Sequence, residues 1–144
     1  MLLGEYTHTL DPKKRLALPS RFRKELGRVV VMTHGLDKCL FLYSLKEWKR
    51  IADKLASLPM GAGDTRGFNR FMLAGAVEAD VDGAGRILIP DFLKKFADLD
   101  EKVVIAGVHT RAEIWNENRW HEYKERIATQ ADSLAEKLGE IGVI

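Results

Sequence analysis

The chain contains itself twice, and that repetition limits what it can fold into more than any other property. Asp11, Arg15 and Pro19 recur as Asp82, Arg86 and Pro90, each 71 positions later. The segments that follow keep pace. "GRVVVMTHG" is echoed by "EKVVIAGVH", and "LFLYSLKEWKRIADKL" by "AEIWNENRWHEYKERI", with Tyr43 answered by Trp115 and Trp48 by Trp120. One copy covers about 5–58 and the other about 76–130 of the 144 residues. A repeat of this size is marginal as an independent domain, because so short a chain buries too small a fraction of its surface. The two copies are therefore expected to share one core about a pseudo-two-fold axis.

Each copy predicts the same elements. A strand (Gly4–Leu10; Gly75–Val81) enters a tight turn, and a second strand leaves it (Arg15–Leu18; Arg86–Ile89). Pro19 and Pro90 end that strand and open a short helix, since proline is tolerated in a first helical turn. Two more strands follow, Arg28–Thr33 with Cys39–Tyr43 and Lys102–Gly107 with Ala112–Trp115. Ser44 with Glu47 fits a capping box for the next helix. There Leu45, Trp48, Ile51, Ala52, Leu55 and Leu58 fall at helical spacing. Asn116 caps the matching helix, with Trp120, Tyr123, Ile127, Leu134 and Leu138 as its apolar stripe. The two stripes are expected to pack against other subunits rather than close the monomer. "PMGAGDTRG" between the copies reads as a flexible link, with a helix-like run after it. The fold class is α+β and β-rich.

Composition narrows the function. Hydrophobic residues make up 46% and charged residues 31%, enough for a core and a soluble surface. No apolar run approaches the roughly 20 residues of a membrane span, and "MLLGEYTHTL" lacks the basic and apolar regions of a secretory signal. The single cysteine, Cys39, excludes an internal disulfide and a thiolate-rich metal site. A cytoplasmic protein is expected. Charge is divided unevenly: residues 1–72 hold 14 Lys and Arg against 7 Asp and Glu, and residues 73–144 hold 9 against 14. The positive half is densest from Asp11 to Arg28, where Lys13, Lys14, Arg15, Arg21, Arg23, Lys24 and Arg28 face only Asp11 and Glu25. Such an imbalance points to an anionic partner.

The two turns carry the most specific chemistry. In D-x-x-x-R the acid can accept backbone amides of the turn and pair with the arginine. That structural role suffices for "VDGAGRILIP", where Gly83 and Gly85 supply backbone freedom. It does not account for "LDPKKRLALP", where Lys13 and Lys14 crowd a tip that already holds Arg15. Lysines there can neutralise phosphates, arginine can reach O6 and N7 of guanine, and a two-stranded ribbon fits the major groove. Other candidates are weaker. Asp80 and Asp82 lack the further ligands of a calcium loop. His8, His34, His109 and His121 are scattered, and Glu117 with His121 lacks a third ligand for a metal. Cys39 reads as inert core. No nucleophile–base pair and no phosphate-cradling loop stand out, so no enzyme and no cofactor are expected. An enzymatic reading would rest on Asp80, Asp82 and Asp91 alone.

Taken together, "GEYTHTLDPKKRLALPSRFR", "LFLYSLKEW", "FNRFMLAGA", "DGAGRILIP" and "EIWNENRW" resemble the MraZ family of bacterial transcription regulators over essentially the whole chain. The resemblance implies two tandem SpoVT-AbrB-like domains (5–47 and 76–119) with swapped hairpins, a helical connector (48–75) and a C-terminal helix (120–144). It implies ring-like homo-oligomers that bind closely spaced direct repeats in promoter DNA of the division and cell wall gene cluster. Such a protein would act at the nucleoid, usually as a repressor of its own operon. The family's D-x-x-x-R segments are associated with the DNA surface, which carries over to Asp11, Lys13, Lys14 and Arg15, and to Asp82 and Arg86. Arg21, Arg23 and Arg28 would extend the positive field. The chain departs from the family at Lys14, where glycine is common, and at Pro12, where a small polar residue is common. Lys14 is thus expected in a backbone conformation that glycine takes more readily. A non-catalytic module whose basic patch binds an acidic protein remains the alternative.

Overall fold

Each copy completes its sheet with strands of the other. In a computed structural model, which describes residues 1–144, the first copy forms β1 (Leu2–Thr9), β2 (Arg15–Ala17), α1 (Ser20–Leu26), β3 (Val29–His34) and β4 (Leu40–Ser44). After α2 (Leu45–Ala56) come α3 (Gly63–Asn69) and a π-helical turn, Arg70–Ala74. The second copy gives β5 (Val77–Asp80), β6 (Arg86–Leu88), α4 (Asp91–Phe96), β7 (Lys102–His109) and β8 (Arg111–Asn116), and α5 (Glu117–Glu140) follows. The fold is α+β with antiparallel sheets, as expected.

The main sheet has the order β1-β7-β8-β4-β3-β5. Exchanging equivalent strands of the two copies reverses this order and leaves it otherwise unchanged, so a pseudo-two-fold axis passes between β4 and β8. There Phe41 stands opposite Glu113. β1 lies along the full length of β7, from Leu2↔His109 to Thr9↔Lys102. That pairing carries β7 two residues past the expected end at Gly107, so that it matches β1 over all eight residues. β2 and β6 pair with each other in a two-stranded ribbon, and a single bridge from Leu16 to Leu10 joins β2 to the end of β1.

Two apolar clusters fill the two faces of the main sheet. Nineteen buried residues lie on the ribbon side, drawn from both copies and including Leu16, Phe22 and Met32 with Ile87, Leu93 and Ile105. The other cluster joins Cys39, Tyr43, Leu55, Met72 and Trp115, against which Trp48, Ile51, Trp120 and Tyr123 pack. This corrects the expected fate of the helical stripes. The second sheet face needs a cover, and α2 and the first turns of α5 supply it within the monomer. Only the distal part of α5 is free: residues 128–140 are all exposed.

Local chemistry explains the helix ends. The Ser44 hydroxyl accepts from the Glu47 amide at 3.2 Å and Asn116 accepts from the Arg119 amide at 3.0 Å. The link between the copies is more ordered than its glycines predict. Gly63–Asn69 is helical, and the π-turn after it is tied to β3: Thr33 Oγ1 donates to the Met72 carbonyl at 2.6 Å, and His34 Nδ1 lies 3.0 Å from the Phe71 carbonyl. These two contacts offset the poor helix propensity of glycine.

Candidate nucleic-acid interface

The two D-x-x-x-R turns are built alike. In the first, Asp11 Oδ1 accepts from the amides of Lys13 (2.9 Å) and Arg15 (2.8 Å), while Oδ2 accepts from Arg15 Nε at 2.9 Å. In the second, Asp82 Oδ1 accepts from the amides of Ala84 and Arg86, and Oδ2 from Arg86 Nε, all at 2.9 Å. One carboxylate thus closes the turn and holds the arginine by its inner edge. The backbone amide of the arginine, followed by its side chain, keeps each carboxyl below the usual aspartate range. Only Nε is engaged, and the two terminal nitrogens of each guanidinium make no hydrogen bond and remain free to donate.

Each tip is also anchored to the opposite copy. The Ile89 amide donates to the Lys14 carbonyl at 2.8 Å, and the Leu18 amide donates to the Gly85 carbonyl at 2.9 Å. Lys14 and Gly85 are equivalent and both left-handed, with φ of 63° and 77°. Lys14 therefore adopts the conformation expected of it. Their surroundings differ. A β-carbon at Gly85 would lie 2.2 Å from the Arg23 guanidinium carbon, because Arg23 of α1 crosses the tip and donates from Nε to the Leu18 carbonyl at 3.0 Å. On the other side α4 offers no arginine at the equivalent place, which is Lys94. Lys14 fits there and forms an ion pair with Asp91. The hydrogen bond from Lys14 holds the Asp91 carboxyl below its ordinary range.

The ribbon presents one face outward. Leu16 and Ile87 point into the core and are buried. Strand alternation then turns Arg15 and Ala17, with Arg86 and Leu88, to solvent. The ladder sets Arg15 opposite Leu88 and Ala17 opposite Arg86, so the arginines lie on a diagonal. Their side chains are exposed to nearly equal degree, 35% and 34%. Lys13 is exposed at the first tip and has no acidic partner. The site residues thus separate. Asp11, Lys13, Lys14 and Arg15 make one tip, and Asp82 and Arg86 the other with Arg23 packed over it. Arg21 is exposed on α1, and Arg28 follows that helix, its carbonyl accepting from the Val81 amide at 2.8 Å. Arg21 and Arg28 touch neither tip through a side-chain hydrogen bond.

Sequence reasoning missed two contributors. Asp91 follows Pro90 as Ser20 follows Pro19, and that acid-for-serine exchange was the available signal for its pairing with Lys14. His8 supports the ribbon from below, its Nδ1 lying 2.5 Å from the Ala17 carbonyl. Elsewhere, Cys39 is buried and its Sγ donates to the Leu36 carbonyl at 3.2 Å. Burial, with Glu113 nearby, pushes its thiol far up. No three His, Cys, Asp or Glu side chains converge as a metal site would need, and no helix is long and apolar enough to cross a membrane.

A sequence model of the MraZ protein family matches residues 1–71 and again 72–139, one match per copy. The chain belongs to the MraZ family. It is similar to the protein called transcriptional regulator MraZ in Caldanaerobacter subterraneus subsp. tengcongensis, 48% identical over 143 residues, which are 99% of this chain and the whole of the relative. The MraZ of Thermoanaerobacter sp. (strain X514) is 48% identical with the same coverage. That of Heliobacterium modesticaldum is 49% identical over 138 residues, 96% of each chain. The coverage places both turns and both long helices inside the shared MraZ region.

Proposed function

We propose that this protein is a sequence-specific DNA-binding transcriptional regulator and that the β2–β6 ribbon is its reading surface. The observation that carries the proposal is the pair of outward arginines, each held by an aspartate through Nε alone, with the unpaired Lys13 beside the first of them. A guanidinium fixed in that way offers a preset two-donor edge, the complement of guanine O6 and N7. A two-stranded ribbon is narrow enough for the major groove. Relatives across the full length are called transcriptional regulators, which agrees with this reading.

In this mechanism Arg15 and Arg86 both read base edges. Lys13 contacts a phosphate, and Arg21 and Arg28 add to the field that draws DNA in. Lys14 and Arg23 act differently from the basic residues around them: they fix the tips, Lys14 on Asp91 and Arg23 across Gly85. One ribbon gives weak binding. A ring of subunits that presents several ribbons to closely spaced direct repeats binds by avidity. The regulated promoter would be that of the division and cell wall gene cluster, including the protein's own operon, with the protein at the nucleoid as a repressor.

Gel-shift titration against duplexes selected from a random pool tests the proposal. Arg15→Ala and Arg86→Ala should each cost about 1–3 kcal/mol per site and relax preference at one guanine. Lys13→Ala should lower the salt slope by about one unit while Lys14→Ala barely moves it. Equal binding to selected and scrambled duplexes would refute sequence-specific reading and favour an acidic protein partner for the basic patch.

A further inference from the structure

The reading face carries one residue whose chemistry is not electrostatic. Leu88 is 57% exposed, while its neighbours Ile87 and Ile89 are buried at 1% and 0%. A single exposed leucine is ordinary. This one stands directly opposite Arg15 in the ladder, and the shallow cleft it lines is bordered by Pro12, Lys13 and Lys14 of the first tip. It is thus a neighbour of Arg15, whose guanidinium has free donors, and shares a cleft with the unpaired Lys13. The equivalent residue beside Arg86 is Ala17. The two halves of the ribbon are matched in arginine and unmatched in apolar reach.

Among the base edges of the major groove, the prominent apolar group is the 5-methyl of thymine. A branched apolar side chain next to a base-reading arginine complements that group, and a polar base edge at the same place would lose its water to a surface that cannot replace it. We infer that Leu88 is a specificity-determining residue that packs on the 5-methyl of a thymine next to the guanine read by Arg15. Ala17, with only a β-carbon, gives the Arg86 half a weaker preference. The site recognised by one ribbon is then a guanine–thymine element on one side and a guanine with a looser neighbour on the other. This inference rests on the ribbon being the DNA-reading surface.

The test uses the full chain and duplexes that it selects from a random pool. Each thymine of the selected sequence is replaced in turn by deoxyuridine, which lacks only the methyl group. One replacement should weaken wild-type binding about fourfold, the equivalent of one buried methyl. Leu88→Ala should bind the thymine duplex at least fourfold more weakly and be indifferent to that same replacement. Arg15→Ala should lose its preference at the neighbouring guanine. Unchanged wild-type binding at every deoxyuridine would overturn the inference while leaving DNA reading intact. So would a Leu88→Ala protein still sensitive to the replacement, or one whose assembly mass changes with its base preference kept. Failure to enrich any sequence would instead overturn the DNA-binding reading and this inference with it.

Discussion

Asp11 and Asp82 each accept three hydrogen bonds, all from their own turn, and this sets how the reading surface responds to acid. Their carboxyls titrate below the ordinary aspartate value. A depressed folded-state value means that the stabilisation is present above about pH 4, where an unfolded aspartate is ionised, and is lost as pH falls through the lower folded value. Carboxyl chemical shifts followed by NMR should therefore show both groups titrating beneath the ordinary aspartate value of about 3.9, and DNA binding should not change through their titration between pH 5 and 8. A midpoint at or above the ordinary value would mean that the braces do not persist in solution. The equivalent pair Lys14 and Gly85 gives a second prediction. Gly85→Ala places a β-carbon at a left-handed φ and makes the Arg23 guanidinium shift, and should cost about 1–2 kcal/mol in urea unfolding. Lys14→Gly removes a similar backbone cost together with an exposed ion pair, so stability should stay within about 1 kcal/mol of wild type. Equal losses would show that the two tips are not packed differently. At this scale the D-x-x-x-R brace is legible in sequence because all its hydrogen bonds are local. The roles of Arg23, Lys14 and Asp91 are not, since each depends on a partner in the other copy, brought close only by the β2–β6 ladder.

Among the elements, α5 divides most sharply into a packed and an unpacked part. Near its start, Trp120 stacks edge-on to Trp115 at 5.3 Å and donates from Nε1 to Glu5 Oε2 at 2.9 Å. Lys124 reaches the other Glu5 oxygen at 2.8 Å. Beyond Ile127 the helix touches nothing that buries it, and Leu134 and Leu138 stay 37% and 41% exposed. Trp120→Ala should lower stability by about 2 kcal/mol, less than a full core truncation because the ring is only half-buried. Deleting residues 128–144 should leave the melting temperature within about 2 °C. Light scattering of that deletion reports whether the distal helix joins subunits: a ring held through it should fall to smaller species. A melting temperature lowered as much as by Trp120→Ala would mean that the distal helix supports the monomer. Periodicity alone reveals that both long helices are amphipathic. It cannot reveal that the second face of the shared sheet claims the tryptophan-bearing turns, because that face exists only after strands from both copies have paired.

At the scale of the whole molecule, the two copies are one dimer-like body on a single chain. A half-chain of residues 1–74 has β1, β2 and β3 without their partners β7, β6 and β5. It should be unfolded when dilute and fold only by pairing with a second half-chain, so its melting temperature in circular dichroism should rise with concentration. A cooperative melt independent of concentration would contradict this. Two such halves would also set Ser20 where Asp91 now meets Lys14 and remove the glycine that admits Arg23, so the joined form is better matched than a symmetric pair. The swapped pairing has a consequence for synthesis. Leu2 of β1 pairs with His109 of β7, so the ribosome must add about a hundred residues after β1 emerges before that strand finds its place. Until then the exposed backbone of β1 and the apolar side of the first hairpin have no proper cover, and this is the interval in which the nascent chain is most open to chaperones, proteases and wrong strand partners.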